Sequence, residues 1–120
     1  MPYADTDFFI ALINPDDRHG KAAKKLYKSY SGSIYTSVAT MIELALVAVK
    51  KNLDIEELIG GAIDIATVEG MDSSKIMFAA HLIANEKFGV FDAFHAALCR
   101  DEIISSDHIY DKLGIKRMNF

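Results

Sequence analysis

Five acidic residues stand where short apolar runs give way to polar ones. Asp5 and Asp7 close the run Tyr3-Ala4-Asp5-Thr6-Asp7, and Asp107 follows Ile103-Ile104-Ser105-Ser106. Glu43 interrupts an otherwise apolar stretch from Met41 to Val49, and Asp92 precedes the small residues Ala93, Ala96 and Ala97. Carboxylates drawn to one place repel by roughly 1 to 4 kcal/mol per pair at 4 Å, so a fold that gathers them is expected to hold a cation there. Oxygen donors without a Cys or His cluster select a hard ion, Mg²⁺ or Mn²⁺, over zinc. One such ion, or two about 3.5 to 4 Å apart, could activate water and steady the leaving oxygen of a phosphodiester. The chemistry is metal-assisted hydrolysis.

For that chemistry the acids must reach one rim, and the order of elements predicts that they do. Short strands are expected at Tyr3 to Thr6, Ser33 to Thr36, Ala66 to Val68, Ile103 to Ser105 and Ile115 to Met118. Between them, helical spacing predicts Phe8 to Ile13, then Pro15 to about Tyr30 with Asn14 as its cap. Further helices are expected after a Ser37 cap, over Ile55 to Ile65 behind Asn52 or Asp54, from Ser73 or Ser74 to about Lys87, and from Asp92 to Arg100. A short helix from Asp107 to Leu113 should end at Gly114. Strands alternating with helices imply a parallel sheet covered on both faces. The fold class is α/β, a three-layer α/β/α sandwich with a central parallel sheet of four to five short strands. Sites in such sheets form beyond the carboxyl ends of the strands, where Asp5 and Asp107 fall.

Length and composition bound what else the chain can be. Its 120 residues, 51% hydrophobic with only two prolines and no internal repeat, read as one domain over residues 1–120. The lone Cys99 cannot form an internal disulfide and is expected to be a buried structural thiol. The start Met1-Pro2-Tyr3-Ala4-Asp5 lacks the cationic and apolar regions of a signal peptide, and no apolar run approaches the ~18 residues of a membrane span. A cytoplasmic setting without membrane attachment is expected. Seventeen Asp and Glu against thirteen Lys and Arg give a net charge of −4, which excludes a broadly basic protein that coats nucleic acid.

Four segments, in this order, resemble the PIN-domain family: Tyr3-Ala4-Asp5-Thr6-Asp7-Phe8-Phe9-Ile10-Ala11-Leu12, Ser37 to Glu43-Leu44, Phe91-Asp92-Ala93-Phe94-His95-Ala96-Ala97, and Ile104-Ser105-Ser106-Asp107. The chain is most similar to its short prokaryotic members, many of them VapC-type ribonuclease toxins of toxin–antitoxin pairs. The resemblance implies that Asp5, Glu43, Asp92 and Asp107 form an acidic quartet holding Mg²⁺ or Mn²⁺ for RNA hydrolysis. It also implies auxiliary roles for the hydroxyls of Thr6 and of Ser105-Ser106, with Asp7 a candidate further auxiliary, and an antitoxin protein as partner. Asp7 departs from the family pattern, where Asn or Ser is common, and adds a fifth acid. His95 falls where a histidine is often seen, with no ligand role carried over. The net charge of −4 equals the size of the quartet, so setting those four acids against bound metal, as the resemblance implies, leaves the remaining charge formally balanced.

Other features of the chain stand beside that site. Arg18, Lys21, Lys24, Lys25 and Lys28 form the one basic concentration, a solvated face or a phosphate track for RNA. Tyr27 and Tyr30 are expected to pack, with base stacking as the alternative, and Met77, Phe78, Leu82, Phe91, Phe94 and Leu98 are expected in the core or an interface. A mean hydropathy of +0.14 predicts apolar surface left over, to be covered by a second copy of the chain or a partner helix. Two other functions fit parts of the pattern. Asp5-Thr6-Asp7 also looks like the start of a haloacid-dehalogenase-type phosphatase, with Asp5 as nucleophile and Asp7 as general acid, but the Lys-then-Asp-Asp arrangement of such enzymes is missing. The third is a non-catalytic PIN-like module that binds RNA or protein.

Overall fold

Alternate residues of the short strands are buried in opposite directions, and this builds the molecule. In the computed structural model, which describes residues 1–120, Tyr3, Tyr35 and Ile103 enter one core while Ala4, Ile34 and Ile104 enter the other. That is the period-2 alternation of a sheet covered on both faces. The strands are β1 (Tyr3–Ala4), β2 (Tyr35–Ser37), β3 (Thr67–Glu69), β4 (Glu102–Ile104) and β5 (Lys116–Met118). They form one sheet in the order β3-β2-β1-β4-β5, every pair parallel, with Tyr3 opposite Tyr35 on one side and Ile103 on the other. The expected sandwich is present, with five strands.

Helices α1 (Thr6–Ile13), α2 (Gly20–Tyr30), α3 (Val38–Lys51) and α4 (Ile55–Ile65) supply the first core, around Phe8, Phe9, Leu44 and Leu58. The second core lies under α5 (Ser73–Asn85), α6 (Val90–Leu98) and a 3-10 helix over His108–Leu113, around Leu82, Phe88, Leu98 and Tyr110. Each fully buried large apolar side chain contributes about 1.5 to 3 kcal/mol. The chain builds outward from β1 to β2 and β3, then crosses back to β4 and β5. The reversal falls between the central pair β1 and β4, where α/β sheets form their ligand crevice.

Several boundaries differ from the sequence expectation, each for a local reason. The helix expected from Pro15 begins only at Gly20, because Asn14 and Asp17 turn their side chains onto the backbone two residues ahead, accepting from Asp16 N at 3.2 Å and His19 N at 2.8 Å. Helix α6 starts at Val90 with extended Gly89 as its cap and stops at Leu98, so Asp92 lies inside the first turn rather than at the cap. Asp72, not Ser73 or Ser74, caps α5 by accepting from Lys75 N at 3.0 Å, and that helix ends at Asn85. Asp54 caps α4, while Asn52 ends α3 in the left-handed region at φ 55°. Ser37 precedes α3 without a side-chain capping bond, its hydroxyl being paired with the Tyr3 phenol at 2.7 Å. Gly61 survives inside α4 because a Cβ there would meet Ile13 Cδ1 at 2.9 Å. Strand β1 is shorter than expected, since Asp5 is already the cap of α1.

Candidate metal centre

Asp5 follows β1 at the switch point and caps α1, its Oδ1 accepting from Thr6 N at 2.7 Å. Three further donors converge on it. Ser105 Oγ and Tyr110 OH donate to Oδ2 at 2.8 and 3.0 Å, and His95 Nε2 lies 3.2 Å from Oδ1. Both oxygens are thereby held in place, Oδ1 by the Thr6 N–H with His95 Nε2 nearby and Oδ2 by the two hydroxyls. Glu43 projects from α3 toward the same place, where it accepts from His95 Nε2 at 2.8 Å and from the Thr6 hydroxyl. Burial works against its charge, but the bonds from His95 and Thr6 outweigh that and hold its carboxyl below the usual range.

Asp92, in the first turn of α6, has one hydrogen-bond partner, the Tyr110 hydroxyl at 3.4 Å. Burial first, then the neighbouring charges of Asp107 and Asp5, push its pKa up to about 6. Asp107 caps the 3-10 helix, accepting from Ile109 N at 3.0 Å, while its own N–H donates to Ser105 Oγ at 3.0 Å. Asp5, Thr6, Asp7, Glu43, Asp92 and Asp107, with Ile10 and Val47, line one cleft of about 200 Å³. The four acids expected to meet do share a rim. Two of them, Asp5 and Asp107, cap helices and line the cleft with the same side chains.

Asp7 lines the same cleft, but its carboxylate is tied to the Ser106 turn. Its Oδ2 accepts from Ser106 N at 2.9 Å and from the Ser106 hydroxyl at 2.5 Å, while its Oδ1 is buried with no partner. Burial, reinforced by the charge of Asp5, pushes its pKa up to about 7. Ser106 therefore serves Asp7, and it is Ser105 that serves Asp5. No lysine lines the cleft, so the lysine-supported phosphatase arrangement is not built.

The basic residues stand elsewhere. Arg18, Lys21 and Lys24 border a separate hollow of about 380 Å³ beside the Ile13–Pro15 turn, and Lys25 and Lys28 are exposed on α2. Tyr27 and Tyr30 pack against the first core. Met77 and Phe78, at 68% and 45% exposure, lie on the surface and not in the core. Cys99 is half-buried, its thiol donating to Glu102 O, and burial pushes its pKa up to about 12.

Three residues central to the site went unassigned from sequence. His95 is fully buried, with Nε2 facing Glu43 and Asp5 and Nδ1 2.8 Å from the Tyr3 hydroxyl. Desolvation lowers its pKa, but Glu43 and Asp5 outweigh it and the net shift is upward. One oxygen each of Asp5 and Glu43 and a ring nitrogen of His95 lie within 4.8 Å of one another, as a ligand set would. An Nε2 lone pair aimed at two carboxylates would be repelled by both, however, so that nitrogen carries a proton and braces the acids as a donor. Tyr3 continues the chain of bonds to Ser37 and Thr40. The signal for His95 was its position three residues after Asp92, which puts both on one helical face. For Tyr3 it was the i, i+2 relation to Asp5, and for Tyr110 the third place after Asp107.

The donor set left to a cation is therefore carboxylate oxygen, which fits a hard divalent ion. The chain belongs to the PIN domain family, whose model matches residues 3–115. Among solved structures it is similar to VapC20 of Mycobacterium tuberculosis, described as a sarcin-ricin loop cleaving toxin, with a TM-score of 0.82, 19% identity and 96% of each chain covered. It is similar also to a toxin–antitoxin complex from Klebsiella pneumoniae, with a TM-score of 0.70, 20% identity and 91% and 88% covered. VapBC2 from Rickettsia felis, bound to a promoter DNA fragment, gives 0.69, 16% identity and 100% and 99% covered. A search of curated protein sequences finds no match.

Proposed function

We propose that this protein is a metal-dependent endoribonuclease in which Asp5, Glu43, Asp92 and Asp107 hold one or two Mg²⁺ or Mn²⁺ ions. The observation that carries this is the meeting of four carboxylates, from four separate segments, in one cleft at the switch point of a PIN-domain sheet. Bound there, the ion supplies an activated water and neutralises charge on a phosphodiester. The rest is done by the chain. Thr6, Ser105, Tyr110 and His95 fix both oxygens of Asp5, and Thr6 and His95 keep Glu43 ionised and aimed inward. Asp7, its pKa raised to about 7 by burial, fastens the Ser106 turn and adds only part of a charge at neutral pH.

Arg18, Lys21, Lys24, Lys25 and Lys28 are the surface along which an RNA backbone would run. We further propose that the protein is the toxin of a toxin–antitoxin pair, acting in the cytoplasm as a homodimer that an antitoxin binds. What supports a protein partner is the apolar surface left uncovered. Val38, Ile42, Leu46 and Val49 make an exposed stripe along α3, 49% to 69% exposed, and its first turns border an apolar groove of about 470 Å³ with Met71, Val90 and Phe94. No helix is long and apolar enough to cross a membrane.

The test is cleavage of single-stranded RNA by the pure protein with Mn²⁺ or Mg²⁺, beside EDTA and an Asp92→Asn variant. Cleavage should need the ion and vanish in both controls. Cleavage that survives both overturns the mechanism, and a protein that binds RNA without cutting it under every ion condition is the non-catalytic module instead.

A further inference from the structure

Tyr110 differs from the other large side chains of the second core in what its far end touches. Its ring is fully buried beside Ile103 and Leu98, where a phenylalanine would fill the same space. A buried hydroxyl is costly unless it is paired, and this one is paired twice. It donates to Asp5 Oδ2 at 3.0 Å and reaches Asp92 Oδ1 at 3.4 Å. Asp5 has three other donors, from α1, α6 and the segment after β4. Asp92 has none. Apart from this phenol no hydrogen bond ties its carboxylate to the site, and the attraction of the His95 charge is outweighed by the repulsion of Asp107 and Asp5 on a side chain partly open to solvent.

We infer that Tyr110 is a positioning residue of the metal centre, sharing its one proton between Asp5 and Asp92 so that the two carboxylates stand together before an ion arrives. This rests on the metal-centre reading proposed above. Without the hydroxyl, repulsion turns the untethered Asp92 side chain toward solvent, and an ion must then reassemble the pair as it binds. Removing such an outer-shell partner weakens ion affinity by about 10- to 100-fold. The hydroxyl touches neither substrate nor ion in this role, and acts through the two carboxylates.

The experiment is calorimetric titration of Mn²⁺ into wild type, Tyr110→Phe and Tyr35→Phe, with a thermal melt of each metal-free protein. Tyr35 is the control because it is equally buried, and its hydroxyl meets only backbone, donating to Leu98 O and accepting from Arg100 N. Y110F should bind Mn²⁺ at least roughly 10-fold more weakly than wild type, while Y35F keeps wild-type affinity whatever its melting temperature. Wild-type affinity in Y110F, with Mn²⁺ bound normally by wild type, makes the hydroxyl purely structural and overturns the inference alone. Absence of Mn²⁺ binding by wild type overturns the metal-centre reading and the inference with it. If Y110F does not fold, wild type labelled with ¹³C at tyrosine Cζ decides. Mg²⁺ must then move the Tyr110 resonance and leave Tyr35 in place, and a Tyr110 signal unmoved by saturating Mg²⁺ overturns the inference.

Discussion

Replacing Asp92 by Asn should stabilise the metal-free protein while destroying its response to metal. Burial and the charges of Asp107 and Asp5 raise the Asp92 carboxyl from 3.8 to about 6, so the fold favours its neutral form. The sign follows from linkage: between those two values the native state binds the extra proton, and stability falls as pH rises through that window. Above pH 6 the cost is fully present, and below pH 4 it is gone. Such a shift is worth roughly 3 kcal/mol, and solvent screening at a partly exposed group leaves ~1 to 2 kcal/mol. Asparagine has no charge to repel and can still accept from Tyr110. With an unfolding entropy of roughly 2.1 cal/mol/K per residue, the gain for a chain of 120 residues is about 4 to 8 °C in Tm at pH 8. Thermal melts in EDTA at pH 8 and pH 4.5, repeated with millimolar Mn²⁺, measure both halves. D92N should melt higher than wild type at pH 8, keep only about a third of that margin at pH 4.5, and lose the Mn²⁺-induced rise. A variant that melts at or below wild type at pH 8 would show that Asp92 is an ordinary helix-start aspartate and refute the crowded-carboxylate account.

Asp7 gives a second pH signature. Because burial and Asp5 push its pKa up to about 7, the difference in Tm between Asp7→Asn and wild type should climb as pH goes from 5 to 8, with RNA cleavage kept within roughly fivefold; a difference flat across that range removes the buried-acid assignment. His95→Ala strips the shared donor from Glu43 and Asp5 and the partner from Tyr3, and should cost ~3 to 5 kcal/mol in urea denaturation, as breaking a buried pair does. A loss under about 1 kcal/mol would mean that the network does not brace the site.

The sheet was legible because each strand carries its burial pattern in adjacent residues. Tyr3 and Ala4, Ile34 and Tyr35, and Ile103 and Ile104 divide between the two cores as alternation demands. Helix starts were less legible, since they depend on which side chain captures a backbone N–H. Asn14 looks like a cap before Pro15 but closes a turn on Asp16, and Gly89 starts α6 without any side-chain signal. The acids could be found from their places at strand ends and inside an apolar helix. Their donors could not be assigned, because the pairs are remote in sequence: Ser105 and Tyr110 are 100 and 105 residues from Asp5, and His95 is 52 from Glu43. Met77 and Phe78 have the types of core residues, and only the structure shows that they face outward from α5.

Five carboxylates around one rim would be prohibitive if all were charged and bare, and the structure meets the difficulty in three different ways. Asp5 and Glu43 are surrounded by donors, with the proton on His95 Nε2 placed between them, and Glu43 is held in its charged form. Asp7 is buried until ionisation becomes unfavourable near neutral pH, and Asp92 is left half tethered with its pKa raised. A full charge on each of the five carboxylates would therefore overstate what the metal-free cleft carries at neutral pH, because Asp7 is only partly ionised there. At neutral pH Asp92, with its pKa near 6, is mostly ionised, so its charge is one that a bound divalent ion would offset. Tyr110 matters most for Asp92, the one acid of the rim with no other hydrogen-bond partner to hold it beside its like-charged neighbours.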